Sequence, residues 1–162
     1  QKALGDITLN AAFSIQMPNT YICLPGFDVD DKLTERSKLT AARERLEKVT
    51  MAIAERRNVL DVVRGKMPWV KSRLLRPGFV ATCMGDGKFK ADVQACTHCG
   101  KCARECPAGN IVMNDGMPQW QGKCTMCLRC LHQCPAAAIN YGKRTVKKGR
   151  YHYRWAPKMK DN

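Results

Sequence analysis

The sequence predicts an α+β fold made of two unlike parts. Residues 1–67 contain one strand-like and one helix-like pattern, whereas residues 89–142 hold eight of the ten cysteines among short strands and tight turns. The cysteine-rich part also repeats itself at an offset of 28 residues. We therefore expect a strand–helix piece, a linker over residues 68–88, a duplicated cysteine-rich domain and a basic tail over residues 143–162.

Composition excludes several classes of protein. The 162 residues are 44% hydrophobic, which argues against a disordered chain. No stretch approaches the roughly 18 uninterrupted apolar residues that a membrane span needs, and no basic-then-apolar export signal opens the chain. Clustered cysteines without such a signal indicate metal ligands in a reducing compartment, so we expect a cytoplasmic protein without membrane contacts. Residue 1 is Gln, so we do not expect it to be the translation start.

The N-terminal part predicts a strand followed by a helix. Residues 7–15 alternate between apolar and polar or small side chains, which indicates a half-buried strand that stops at Met17 and Pro18. Residues 34–64 have the spacing of an amphipathic helix, with apolar positions Leu39, Ala42, Leu46, Val49, Ile53, Leu60 and Val63. We expect this helix to cover a sheet; a partner-binding or membrane-surface helix is the alternative. One strand and one helix cannot close a core, so this part either packs on the second part or ends a larger domain.

Residues 68–88 contain two prolines and three glycines, which predicts an irregular linker. Beyond it, strands are expected at 89–93 and 139–141, and a hairpin at 110–120 with Asp115-Gly116 at its turn. We expect Val93, Ile111, Trp120 and Ile139 to exclude water from the cysteines. His98 and His132 are expected to be exposed and inert, and Cys23 and Cys83 not to be ligands.

Two segments carry the chemistry. Residues 96–107 and 124–135 both have the spacing C-x2-C-x2-C-x3-C-P, and adding 28 to each position of the first gives the second. The offset also carries Ile111 onto Ile139. This pattern predicts a duplicated half-domain with two-fold pseudosymmetry.

The spacing is typical of [4Fe–4S] ligation. Three thiolates on a short loop can reach three corners of a cluster, and the cysteine before proline ligates the other cluster where two are present. We therefore assign one cluster to Cys96, Cys99, Cys102 and Cys134, and the other to Cys106, Cys124, Cys127 and Cys130. Structural zinc favours paired C-x2-C or mixed Cys/His sets, and disulfides would be spread along the chain, so neither alternative is favoured.

These motifs resemble known proteins. Residues 89–142 resemble bacterial-type two-[4Fe–4S] ferredoxins, and the whole chain resembles the C-terminal portion of the flavodoxin–ferredoxin fusion family. Three segments carry the wider resemblance: Met-Pro-Asn-Thr-Tyr-Ile at 17–22 (Thr20 stands where Asn is usual), Asp-Gly-Met-Pro-Gln-Trp at 115–120, and residues 141–152. The resemblance implies that strand 7–15 and helix 34–64 end a flavodoxin-like domain. It implies FMN only if an N-terminal part with the phosphate-binding loop is present.

The expected function is low-potential one-electron transfer by two [4Fe–4S] clusters. No acid–base pair, nucleophile motif or nucleotide loop accompanies them, so we expect no catalytic residues in this chain. The alternative is an electron-relay domain or subunit of a larger flavin-dependent oxidoreductase; purely structural clusters are a third reading. The net charge is +14, and two clusters with eight thiolates would reduce it to about +10. This excess of positive charge favours an acidic or flavin-containing redox partner. Nucleic acid, which the basic, aromatic-rich tail suggests, is the less favoured alternative.

Overall fold

The computed structural model describes residue 5 and residues 8–153, without the side chain of Cys83. These residues form two compact units: unit 1 contains 8–18 and 30–78, and unit 2 contains 19–29 and 79–153. The predicted division at residue 67 is therefore corrected, because residues 19–29 belong with the cysteine-rich unit. Ile22 and Cys23 are almost fully buried in the core of unit 2, which explains this assignment.

Unit 1 contains a parallel strand–helix–strand arrangement. Strand β1 (Ala11–Phe13) pairs in parallel with β2 (Val59–Asp61), and helix α1 (Lys32–Ala54) lies between them in the chain. Arg45 of α1 ties both strand ends to the helix, since it donates to the Ser14 and Asp61 carbonyls at 3.3 and 2.8 Å. The predicted strand at 7–15 is shortened to three paired residues, and Ile7 lies outside the described residues.

The predicted helix at 34–64 is wrong at its C-terminal end. Asp31 caps the start of α1 by accepting from the Leu33 and Thr34 amides at 2.9 and 3.0 Å. The helix ends at Ala54, and Arg56 has a left-handed φ of 52°. Leu60 continues the apolar spacing of the helix, but its backbone pairs with Ala12 of β1. Strand pairing therefore overrides the helical period after residue 54.

The apolar stripe of α1 is only partly covered. Ala42, Val49 and Ala52 are buried, whereas Leu46 and Ile53 are 54% and 61% exposed. A sheet of two short strands is too narrow to bury a stripe along 23 residues.

The predicted linker at 68–88 is largely helical. It contains α2 (Pro68–Val70), a π-helical turn (Lys71–Leu75) and α3 (Arg76–Cys83). Pro68 does not prevent this, because it lies in the first turn of α2, where the missing N–H needs no intrahelical partner. Pro77 lies at the start of α3, just after the π-helical turn. None of the described helices is long and apolar enough to cross a membrane.

Unit 2 is a small mixed domain of strands and short helices. Its elements are β3 (Phe89–Ala91), α4 (Lys101–Arg104), β4 (Ile111–Asn114), β5 (Met117–Trp120), α5 (Arg129–Gln133), β6 (Ile139–Tyr141) and a 3-10 turn (Gly142–Thr145). Strand β3 pairs with β6, and β4 with β5, both antiparallel. The predicted hairpin is confirmed: Asp115 and Gly116 have φ values of 48° and 77°, as a type I′ turn requires.

The 28-residue offset is visible in the backbone. Helices α4 and α5 begin at equivalent positions, Lys101 and Arg129. Left-handed φ angles also recur in equivalent pairs: His98 and Met126 (both 55°), Gly100 and Leu128 (67° and 58°), and Gly109 and Ala137 (56° and 48°). The two cysteine segments therefore follow the same path through their loops.

The predicted basic tail is partly packed between residues 143 and 153. Thr145 is fully buried, and its hydroxyl accepts from the Tyr141 amide at 2.8 Å. Lys148 donates to the carbonyls of Ile22 and Leu24, both at 2.6 Å. The Lys148 ammonium group thus holds residues 19–29 in unit 2 and is not simply solvated. Residues 154–162, with Trp155, lie outside the described residues.

Candidate metal centre

The eight predicted ligands line two cavities in unit 2. Cavity A is lined by Cys96, Cys99, Cys102 and Cys134. Cavity B is lined by Cys106, Cys124, Cys127 and Cys130. Each cavity thus brings together three cysteines of one loop and the cysteine before proline of the other loop. These are the two quartets expected from the spacing.

Left-handed residues at matching positions shape the two loops. Gly100 and Leu128 immediately precede α4 and α5, and both turn the chain at positive φ. Glycine adopts this conformation without strain, but leucine does not. Leu128 is only 3% exposed, so burial of its side chain offsets the backbone cost.

Backbone amides point at the sulfur atoms. The Asn110 amide donates to Cys106 Sγ at 3.3 Å, and the Met126 amide donates to Cys124 Sγ at 3.4 Å. In cavity A, the Lys101 amide is the main reason why the pKa of Cys99 lies below its ordinary value. Such donors stabilise negative charge on sulfur, which suits thiolate ligands and the sulfides of a cluster.

Apolar side chains close both cavities. Ile111 and Trp120 line cavity B, and Ile139 lines cavity A, as predicted. Phe89 is buried beside Trp120, with ring centroids 5.6 Å apart and nearly parallel rings. Val93 is 66% exposed and shields neither cavity, because β3 ends at Ala91.

A buried donor in cavity B tests whether a cluster suits the site. Trp120 Nε1 is buried and forms no complete hydrogen bond within the described residues. This indole N–H acts on Cys130. Burial raises the pKa of the Cys130 thiol, and the indole N–H offsets part of that increase. A weak donor aimed at thiolate sulfur fits an iron–sulfur cluster, whose sulfurs accept such bonds. The residues present therefore fit [4Fe–4S] groups.

The thiols of the two cavities differ in burial. Cys130 is buried, which raises its pKa to about 12. The equivalent Cys102 is less buried, and desolvation raises its pKa as well. Cys99 and Cys127 are exposed, so each quartet reaches the surface at the same position of its loop.

His132 is a functional candidate that sequence reasoning misjudged. It is 5% exposed, its Nε2 lies 2.7 Å from the Thr20 carbonyl, and its Nδ1 accepts from the Tyr151 amide at 3.2 Å. Burial lowers the pKa of His132, so the neutral ring ties three distant segments together. Thr20 and Tyr151 lie in two of the segments that carry the wider resemblance. That resemblance was the sequence signal that could have indicated these contacts of His132. His98 is exposed as expected, with Nδ1 2.9 Å from the Gly116 carbonyl.

Cys23 adds no further site, and the side chain of Cys83 lies outside the described structure. Cys23 is 2% exposed in the core and lines neither cavity. Between residues 8 and 153, no three His, Cys, Asp or Glu side chains converge closely enough for a single metal ion. The cysteines surround cavities, as ligands of a multi-atom cluster do.

Comparison with known proteins agrees with this geometry. Residues 95–139 match the family model of the 4Fe-4S dicluster domain. No curated protein and no solved structure gives a significant match. The matched segment contains all eight cysteines of the two motifs, from Cys96 to Cys134. Unit 2 therefore contains a ferredoxin-like iron–sulfur domain, which indicates a role in electron transfer.

Proposed function

We propose that this chain is a low-potential one-electron carrier that holds two [4Fe–4S] clusters by crossed ligation. Cys96, Cys99, Cys102 and Cys134 hold one cluster, and Cys106, Cys124, Cys127 and Cys130 hold the other. The observation that carries the proposal is the separate convergence of these two quartets on cavities A and B. Each loop lends its last cysteine to the other, so cluster binding and folding of unit 2 are coupled.

The surrounding residues serve electron transfer. A [4Fe–4S] cluster gains and loses one electron within a range of roughly −700 to +450 mV. Ile111, Ile139 and Trp120 keep water away, and the amides of Asn110 and Met126 stabilise negative charge on sulfur. The exposed Cys99 and Cys127 provide the points where a redox partner comes nearest to the clusters.

The redox partner is proposed to be acidic or flavin-containing. The chain has 28 Lys and Arg against 14 Asp and Glu, a balance that steers association with acidic surfaces. Two charges of the predicted tail, on Lys148 and Arg150, are engaged with backbone carbonyls of unit 2. This internal use weakens the nucleic-acid alternative. Function in the cytoplasm is part of the same proposal.

A second candidate is an electron-relay domain of a larger flavin-dependent oxidoreductase. The parallel pairing of β1 and β2 around α1 favours it, because parallel strands joined by a helix are typical of α/β domains such as flavodoxins. Residues 1–67 would then be the end of a flavodoxin-like domain, and FMN would bind only with an N-terminal part carrying the phosphate loop.

Anaerobic purification followed by iron, sulfide and EPR measurements tests the proposal. About eight iron atoms and eight sulfides per chain are expected, with EPR signals that appear after reduction by dithionite. Colourless protein that contains zinc would refute the clusters. Protein that contains both clusters but exchanges no electrons would leave only a structural role for them.

A further inference from the structure

Cavity B has a fixed negative charge beside it. The Asp86 carboxylate is half-buried, and its Oδ2 accepts from Asn110 Nδ2 at 2.9 Å and from the Gly122 amide at 2.7 Å. Burial raises the pKa of Cys124, and the Asp86 charge raises it further. Asn110 itself is 1% exposed and donates its amide to Cys106. Two hydrogen bonds therefore hold Asp86 against Gly122 and Asn110, the residue whose amide contacts the Cys106 thiol of cavity B.

The one cation on the wall of cavity B is compensated. Among the residues that line this cavity, Arg129 carries the only formal charge. Its guanidinium forms an ion pair with Glu105 at 2.7 Å. The pair contributes little net charge. Lys123 precedes Cys124, but it is exposed, so water and salt screen its charge more than that of the half-buried Asp86.

Cavity A has the opposite surroundings. Lys101, at the position equivalent to Arg129, lines cavity A and has no acidic partner within residues 8–153. Arg104 donates to the Cys99 carbonyl at 2.8 Å, and its charge helps to stabilise the Cys99 thiolate. Arg150 is half-buried and interacts electrostatically with Cys134. Three cations thus face this quartet.

Two carboxylates act against these cations. Asp28 interacts electrostatically with Arg150 and offsets part of its charge. Asp92 precedes the first cysteine of cavity A and accepts from the Gln94 amide at 2.9 Å. Asp92 is exposed, so water and salt screen its charge far more than that of Asp86. Its weaker effect leaves cavity A with the more positive surroundings.

We propose that the two clusters are unequal electron acceptors, that the first electron resides in cavity A, and that Asp86 and Arg104 set this order. The inference rests on the proposed binding of two clusters. An added electron is stabilised by nearby positive charge and destabilised by negative charge that water cannot screen. The order gives the protein a direction: electrons entering at cavity B pass downhill to cavity A.

An anaerobic reductive titration of the full chain, followed by EPR, tests the inference. We expect two reduction steps. The equilibrium constant for the first step should exceed that for the second at least tenfold, which corresponds to a difference of about 59 mV for one-electron couples. Asp86→Asn keeps both hydrogen-bond acceptor functions but removes the charge. This variant is expected to raise the reduction potential of the second step and to leave the potential of the first step unchanged. Arg104→Gln is expected to lower the first step only.

Asp92→Asn is the matched control, because it removes an exposed carboxylate just before the first cysteine of cavity A. It should shift the first step by less than half of the Asp86→Asn effect. Coincident steps, or an Asp86→Asn shift confined to the first step, would overturn the inference while leaving the clusters intact. Iron and sulfide counts near zero would instead refute the proposed function. If Asp86→Asn protein lacks its full iron, the Arg104→Gln shift decides.

Discussion

The two cysteine loops, residues 96–106 and 124–134, have the same spacing but different surroundings. Both turn through left-handed residues at equivalent positions, and both end in a cysteine that lines the other cavity. Gly100 in the first loop corresponds to the buried Leu128 in the second, and Cys102 corresponds to the more deeply buried Cys130. Spacing thus decides which sulfurs meet, whereas the side chains around them decide how dry and how charged each site is.

The largest expected effect comes from exchanging the last cysteine of either loop. Cys106→Ser should remove or damage the cluster held with Cys124, Cys127 and Cys130, and about half of the iron should be lost. Cys134→Ser should instead damage the cluster held with Cys96, Cys99 and Cys102. Iron analysis measures the loss, and EPR of the reduced variants shows which of the two reduction steps remains.

The two variants control each other. If Cys106→Ser removes the first reduction step, attributed to cavity A, and Cys134→Ser removes the second, each loop ligates its own cluster and the crossed assignment is wrong. A serine oxygen can remain as a weak ligand, so Cys106→Ala and Cys134→Ala provide the stricter versions of the same comparison.

Local patterns predicted much of unit 2 because its elements depend on short-range geometry. The hairpin turn at Asp115-Gly116 follows from two adjacent residues. The quartets join cysteines of different loops, and only the repeated spacing of the two segments indicated them. The predicted C-terminal end of the helix at 34–64 was wrong because of a distant contact. Leu60 fits the helical spacing, but pairing with a strand 48 residues earlier decides its conformation.

Long-range contacts could not be predicted in this way. The partner of His132, the Thr20 carbonyl, lies 112 residues away in sequence. Lys148 likewise reaches carbonyls more than 120 residues earlier, which turns a tail-like run of charge into packed structure. A single sequence specifies these contacts only through the complete fold, so periodicity and composition alone do not reveal them.

A smaller effect is expected from the unequal residues that begin the two short helices. Leu128→Ala removes a buried side chain and should cost about 2–5 kcal/mol. Gly100→Ala places a Cβ 3.4 Å from Arg104 Nη1 at a φ of 67°, and should cost about 1–2 kcal/mol. Anaerobic urea unfolding, followed by loss of the clusters' visible absorption, measures both.

Leu128→Gly separates the two contributions at this position. It deletes the same side chain but relieves the left-handed backbone, so it should destabilise no more than Leu128→Ala. In an ordinary helix, glycine is worse than alanine by about 1 kcal/mol. A Leu128→Gly variant that is clearly less stable than Leu128→Ala would contradict the backbone argument.

The smallest expected effect sharpens the contrast between the cavities. Trp120→Phe removes the buried indole N–H next to Cys130 and keeps a ring stacked on Phe89. A hydrogen-bond donor to sulfur stabilises the added electron, so its loss should lower the reduction potential of the second step. This decrease should be smaller than the increase caused by Asp86→Asn. The first step should not move, because Trp120 does not line cavity A. A shift of the first step in the same titration would mean that the indole acts through the packing of the whole domain and not on the sulfur beside it.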